Sequence, residues 1–203
     1  MPRVLVLATS NPGKVGEIKA ALHGLGYELQ TLPHLGIALD VAETGATYAD
    51  NAAAKALAAA RACGQLALAD DSGLEVDALN GAPGVHTSRY FGANLSDAEK
   101  VQRLLESLDR VDSARRRARF RCVMALAWPG GTVEFFEGAC EGILTGEPRG
   151  QGGFGFDPIF IPDRQTETFA ELPSECKAQM SHRARALARV RQFLETLAET
   201  ETF

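Results

Sequence analysis

Residues 66–84 read LALADDSGLEVDALNGAPG. An apolar run from Leu66 breaks at Asp70 and Asp71, Ser72 and Gly73 follow as turn formers, and Leu74 to Leu79 forms a second short run with Glu75 and Asp77 on its polar face. A core strand that ends in two acids is costly unless those charges meet partners or a cation. Two readings follow from the stretch alone. In one it is a polar turn between strands; in the other the adjacent carboxylates of Asp70 and Asp71 are a candidate metal site. Asn80, Gly81, Pro83 and Gly84 mark turns beyond it.

Toward the N-terminus, residues 3–8 (RVLVLA) predict a strand that gives way to Thr9, Ser10, Asn11, Pro12, Gly13 and Lys14. Val15, Ile18 and Leu22 then recur at helical spacing until Gly24 and Gly26. The turn at 9–14 therefore sits where a helix N-terminus can present free N–H groups to an anion, with Asn11 and Lys14 adding a polar head and a charge. The spacing of a Walker loop is absent, and a plain strand-to-helix turn explains the motif equally well. Residues 28–32 predict a second strand, and 33–46 is irregular. Thr47 with Asp50 predicts a capping box that opens an alanine-rich helix to about Ala62, closed by Gly64. Glu43 lies just before this helix and Lys55 about two turns within it.

Toward the C-terminus, Ser96 with Glu99 forms a second capping box, and Val101, Leu104, Leu105 and Leu108 fill one face of a helix over 97–108. From Arg117 the run RRRARFR alternates basic and apolar residues and passes into CVMALAW, which predicts a strand with a basic outer face. Trp128 to Gly131 turn it into TVEFFEGACEGIL, the second strand of a hairpin. In RGQGGFGFDP, residues 149–158, glycines surround Phe154, Phe156 and Asp157. Such a segment can lay a ring against a ligand or can simply cover the core. Residues 159–161 add a short strand. Lys177 precedes Ser181, an N-cap for a last helix with Leu187, Val190, Leu194 and Leu197 on one face. His182 and Arg183 in its first turn oppose the helix dipole, as Lys14 does in the first helix, and a bound anion would relieve both conflicts.

A chain of 203 residues suits one well-buried domain of two lobes, and 45% hydrophobic with 23% charged residues is ordinary for a globular protein. No window approaches a membrane span and the N-terminal residues lack the pattern of a signal peptide, so a cytoplasmic location is expected. A net charge of −5 argues against general attraction to nucleic acid or to an anionic membrane. Four scattered histidines and four unpaired cysteine positions give no zinc spacing, which leaves oxygen-ligated Mg²⁺, or Mn²⁺, as the metal these residues could hold.

TSNPGK at 9–14, ETG at 43–45, LADDSGLEVDALNGAPG at 68–84, GGFGFDPIF at 152–160 and SHR at 181–183 occur in this order along the chain. Together they resemble the inosine triphosphate pyrophosphatase family, hydrolases of noncanonical purine nucleoside triphosphates. The resemblance implies an α/β fold with an elongated, mixed central β-sheet flanked by helices, two lobes with a nucleotide cleft between them, and a homodimer. By position it implies that Thr9, Ser10, Asn11, Pro12, Gly13 and Lys14 hold phosphates and that Ser72, Lys177, His182 and Arg183 contact substrate. Phe154, Gly155, Phe156 and Asp157 would frame the base, Glu43 and Asp71 would bind metal, and Asp71 would act as general base. Lys55 and Asp70 join them by placement, Asp70 in the shell of the metal. Phe156 and Asp50 depart mildly from the family pattern.

The implied reaction converts ITP, dITP or XTP and water to the monophosphate and pyrophosphate by attack at the α-phosphorus. A triphosphate brings about four negative charges, which explains the need for a divalent ion and several cations. Selectivity would rest on a 6-keto acceptor that Arg183 or backbone N–H groups satisfy and that adenine lacks. Two other readings stay open: a pyrophosphatase for pyrimidine triphosphates, and a regulator that binds nucleotide without turnover. The acids Glu43, Asp70 and Asp71 argue against the second.

Overall fold

The computed structural model describes residues 3–92 and 94–200. Strands β1 (Arg3–Leu7) and β2 (Tyr27–Thr31) are parallel and joined through helix α1 (Pro12–Ala21). Helix α2 (Tyr48–Cys63) leads into β3 (Leu66–Val76), which pairs parallel with β1. Helix α3 (Asp97–Ser107) precedes the hairpin of β4 (Arg117–Ala127) and β5 (Val133–Leu144), and β6 (Phe160–Pro162) pairs antiparallel with β5. Helices α4 (Ser174–Met180) and α5 (His182–Thr200) close the chain. The six strands form one mixed sheet in the order β2-β1-β3-β4-β5-β6. The α/β class with a mixed central sheet flanked by helices is thus as expected. The helix α4 was not foreseen, although Pro173, Ser174 and Glu175 carry the usual marks of a helix start.

The largest correction concerns the opening stretch. The strand expected to end at its acids continues through Ser72 and Gly73 for eleven residues in all. It need not turn outward, because Asp70 and Asp71 both find partners within the protein. The turn comes later, where Asn80 and Gly81 adopt positive φ (53° and 85°) and Val76 N–H bonds to Ala82 O.

The chain divides into two compact units. The first takes the described residues up to Asp71, Cys122–Gly138, and those from Arg183 onward; the second takes Ser72–Arg121 and Ala139–His182. In the first unit, strand alternation sorts the side chains onto two faces. Leu5, Leu7, Leu68, Cys122, Met124 and Leu126 pack on Ile18 and Leu22 of α1 and on Leu187, Val190 and Leu194 of α5. Val6, Ala67, Ala69, Ala125 and Ala127 turn the other way, onto Ala52, Ala56, Ala59 and Ala60 of α2. Small residues on both sides of that contact let the helix lie close to the sheet. Capping boxes at Thr47/Asp50 and Ser96/Glu99 start α2 and α3 as the sequence predicts, and Gly64 closes α2 in the left-handed region.

In the second unit Leu74, Val76, Ala118, Phe120, Cys140, Leu144 and Phe160 pack on Val101, Leu104 and Leu108 of α3. The opposite face of these strands is charged. Arg117 pairs with Asp163 at 2.7 Å, Arg119 with Asp77 at 2.7 Å, and Arg121 approaches Glu75 at 3.8 Å. The basic face is therefore matched by acids on neighbouring elements. This explains the two-part sequence of β4: RARFR alternates because one face is polar, and CVMALA is apolar throughout because both faces are covered. Gly142 lies opposite Pro162, and a Cβ there would overlap the carbonyl oxygen of Ile161 and the ring of Phe160. Gly142→Ala is expected to destabilise the protein by about 2 kcal/mol, read from urea midpoints; an unchanged midpoint would show that β6 gives way freely.

Candidate active site

The first unit carries one constellation, built where β1 ends and β3 runs on beside the helix starts. Ala8 N–H bonds to Leu68 O at 2.8 Å, and the chain then leaves the sheet through Thr9 and Ser10. Asn11 caps α1 by accepting from Lys14 N–H at 3.1 Å, and its own N–H donates to Thr9 Oγ1. Pro12 takes the first helical turn, where no N–H is needed. Lys14 Nζ lies 2.9 Å from Asp70 Oδ2. Arg183, from the first turn of α5, places Nε and Nη2 each 3.3 Å from the same oxygen, and its Nη1 meets Glu17 Oε2 at 2.6 Å. Lys14 and Arg183, the two cations at helix starts, therefore share an anion inside the protein.

Asp71 points the other way. Successive residues of a strand alternate faces, so Asp70 shares the side of Leu68, α1 and α5, and Asp71 shares the side of Ala69 and α2. Asp71 Oδ2 accepts from Asn51 Nδ2 at 2.9 Å, and its Oδ1 lies 3.7 Å from Lys55 Nζ. Lys55 donates to Glu43 Oε1 at 2.7 Å. The acids expected to act as one metal site are thus divided: Glu43 and Asp71 converge on Lys55, and Asp70 serves Lys14 and Arg183.

The charges follow from these contacts. Burial by itself would raise the Asp70 carboxyl, but Lys14, Arg183 and Lys55 outweigh it and hold the group well below the usual carboxylate range. Burial also pushes Asp71 up, and there it prevails: Lys55 and the Asn51 amide oppose the shift, and Glu43 adds to it. Burial disfavours the Lys55 ammonium, yet Asp70, Asp71 and Glu43 keep it above its ordinary value. Two neighbouring carboxyls are in this way tuned in opposite directions.

Among the described residues no group of three or more His, Cys, Asp or Glu side chains could hold a metal. The donor set is two carboxylates, Glu43 and Asp71, beside one lysine. That set fits Mg²⁺, which takes one or two protein carboxylates and fills its octahedron with water and phosphate oxygens. It does not resemble an all-protein cage.

The second unit carries its own constellation. Asp157 Oδ2 accepts from Phe154 N–H at 2.8 Å and pairs with Lys177 Nζ at 2.6 Å. Gly153 has φ 70°, and a Cβ there would overlap the Asp157 carboxylate, so the glycine is required for this approach. Gly155 N–H donates to Asp97 Oδ2 at 2.7 Å, which ties the glycine-rich segment to α3. The Lys177 ammonium lies 4.4 Å from the centroid of Phe154. His182 stacks on Phe120 with centroids 4.7 Å apart and planes 13° from parallel. Ser72 lies half-buried on β3. Phe156, predicted to frame a base, is buried in the core of this unit, and the less buried ring of the pair is that of Phe154.

Sequence reasoning missed Asn51, Glu17 and Phe120. Asn51 had a legible signal, a short polar residue on the alanine face of α2, where a side-chain amide would be left without partners unless the fold supplied them.

Residues 5–193 match the model of the Ham1 family. The chain is 48% identical over 193 residues to a dITP/XTP pyrophosphatase of Desulforamulus reducens, covering 95% of this chain and 96% of that one. It is 43% identical to the dITP/XTP pyrophosphatase of Bacillus subtilis, covering 94% and 96%. A HAM1 protein from Coxiella burnetii superposes with a TM-score of 0.87 at 41% identity, covering 95% of this chain and 98% of that structure. This chain belongs to the Ham1 family. The resemblance drawn from its motifs is borne out.

Asp70→Asn is expected to cost about 3 kcal/mol at pH 7, because it leaves Arg183 buried beside a neutral amide. The folded carboxyl titrates below its unfolded value of about 3.9, so its contribution is complete above that pH and fades as pH falls beneath it, by up to ~1.4 kcal/mol per pH unit. Urea midpoints of wild type and variant in metal-free buffer should lie far apart at pH 7 and draw together at pH 3; a gap that stays constant would contradict the pairing.

Proposed function

We propose that this protein hydrolyses noncanonical purine nucleoside triphosphates (dITP, ITP and XTP) to the monophosphate and pyrophosphate. The observation that carries this reading is the placement of Asp70 and Asp71 on opposite faces of β3 among three cations. Lys14 and Lys55 supply positive charge for phosphates, and burial raises the Asp71 carboxyl above its ordinary value, the direction that suits a proton acceptor. The near full-length identity with dITP/XTP pyrophosphatases supports the same conclusion.

In this mechanism the segment Thr9 to Lys14 receives phosphate oxygens on the N–H groups opening α1. A water attacks the α-phosphorus, the bond from that phosphorus to the bridging oxygen breaks, and pyrophosphate leaves with the bond's electron pair. Asp71 accepts the water's proton. Glu43 and Asp71 would hold Mg²⁺, which would supply positive charge to offset that of the triphosphate. Asp70 holds Lys14 and Arg183 in place. Of its two cations Lys14 keeps 18% of its side chain exposed and Arg183 2%, so Lys14 is the one free to turn toward a ligand.

We assign the base to the second unit, where Phe154 offers a ring and Lys177, His182, Asp157 and Ser72 supply polar groups. Selection for a 6-keto purine follows from donors that adenine would leave unpaired. Arg183 has its guanidinium committed to Asp70 and Glu17, which favours backbone N–H groups and Lys177 as those donors. The partner is a small-molecule triphosphate; the homodimer and the cytoplasmic location come with the family resemblance. No helix among the described residues is long and apolar enough to cross a membrane.

Pyrophosphate release measured with and without Mg²⁺ should be at least about 100-fold faster from dITP, ITP and XTP than from ATP, dUTP or dTTP. A preference for a pyrimidine would sink the assignment. Asp71→Asn should lower kcat by about 10³-fold with substrate affinity within a few-fold of wild type, and near-normal turnover would refute Asp71 as the base.

A further inference from the structure

Asn51 lies in the second turn of α2, buried on the face that also carries Ala52, Ala56, Ala59 and Ala60. Its side-chain amide bridges two parts of the site. Oδ1 accepts from Gly45 N–H at 2.8 Å, and Nδ2 donates to Asp71 Oδ2 at 2.9 Å. Gly45 closes the segment that carries Glu43, and a Cβ at Gly45 would fall 2.6 Å from Asp50 Cβ and 2.7 Å from Asn51 Oδ1. The glycine is thus what lets the backbone reach the amide.

A backbone N–H can only donate, so Gly45 fixes which end of the planar amide is oxygen. The NH₂ end must then face Asp71. With Oδ2 accepting from Asn51, Oδ1 is the oxygen turned toward Lys55. We propose that Asn51 is a positioning residue for the reaction, which orients the Asp71 carboxylate with Oδ1 toward Lys55 and, through Gly45, sets the Glu43 segment in register with it. The inference rests on Asp71 as the base.

Two variants separate this role from mere support of the loop. Asn51→Leu removes both bonds and keeps the volume of the side chain; Asn51→Ala removes both and shortens it. Both are assayed with dITP and Mg²⁺, and the affinity of a non-hydrolysable α,β-imido triphosphate is measured by calorimetry alongside the thermal midpoint. The expected result is a fall in kcat of about 100-fold in both variants, with KM and analogue affinity within about threefold of wild type. Wild-type kcat in Asn51→Leu would overturn the proposal, since the carboxylate would then need no orienting amide. Raised KM and weakened analogue binding at unchanged kcat would also overturn it. Should Asn51→Ala fail to fold, Asn51→Leu decides the question. Loss of the underlying reading looks different: near-normal turnover in Asp71→Asn removes the base itself, whatever the Asn51 variants do.

Discussion

Asp70 accepts from a lysine in the first turn of α1 and from an arginine in the first turn of α5, at a point of β3 where its side chain has no exposure to solvent. Each of these cations stands at the end of a helix where the dipole disfavours it. A single buried carboxylate offsets both conflicts, and it draws the starts of two helices from opposite ends of the chain onto one strand. Asp70 is the shared member, and removing it leaves Glu17 as the acid paired with the buried Arg183. Everything else in the first unit's site is placed relative to the strand position that this cluster fixes.

The period of the strand then does the remaining work. Because neighbouring side chains on β3 face opposite ways, an acid bound to Lys14 and Arg183 sits beside an acid bound to Asn51. Asp70 is surrounded by positive charge and stays ionised; Asp71, facing the small-residue side and Glu43, is pushed toward holding its proton longer. Two roles are obtained from one dipeptide by the pleat alone. The second unit shows the same economy in its glycine-rich segment, where one carboxylate, Asp157, both secures the Phe154 backbone and seats Lys177 beneath the ring.

Much of this was legible before any coordinates. The capping boxes at Thr47 and Ser96, the hairpin of β4 and β5, and the turn at Asn80 and Gly81 all follow from local chemistry, and the structure places them accordingly. The misplaced cations at Lys14 and Arg183 correctly pointed to an anion, but not to which one, since their partner lies far away in sequence. Ser72 and Gly73 misled because their turn propensity is local, whereas the reason the strand continues is tertiary: both acids are satisfied internally. Local sequence leaves Phe156 open between facing a ligand and covering the core, because periodicity is silent within glycine-rich segments, and the structure buries it in the core. Asn51 went unnoticed because its two bonds run to a loop and to another strand, and neither is encoded by helical spacing.

One hydrogen-bonded pair also bears on how the chain is made. Asp70 and Arg183 lie 113 residues apart, and the first unit takes its last helix from the end of the sequence. During synthesis β1, α1, α2 and the start of β3 emerge long before α5, so an acid destined for complete burial must wait in water while more than half of the protein is still to be translated. The first unit therefore cannot complete itself until α5 has followed the segments of the second out of the ribosome. The order of emergence, and not the order of the strands in the sheet, thus sets the point at which the buried cluster around Asp70 can first exist.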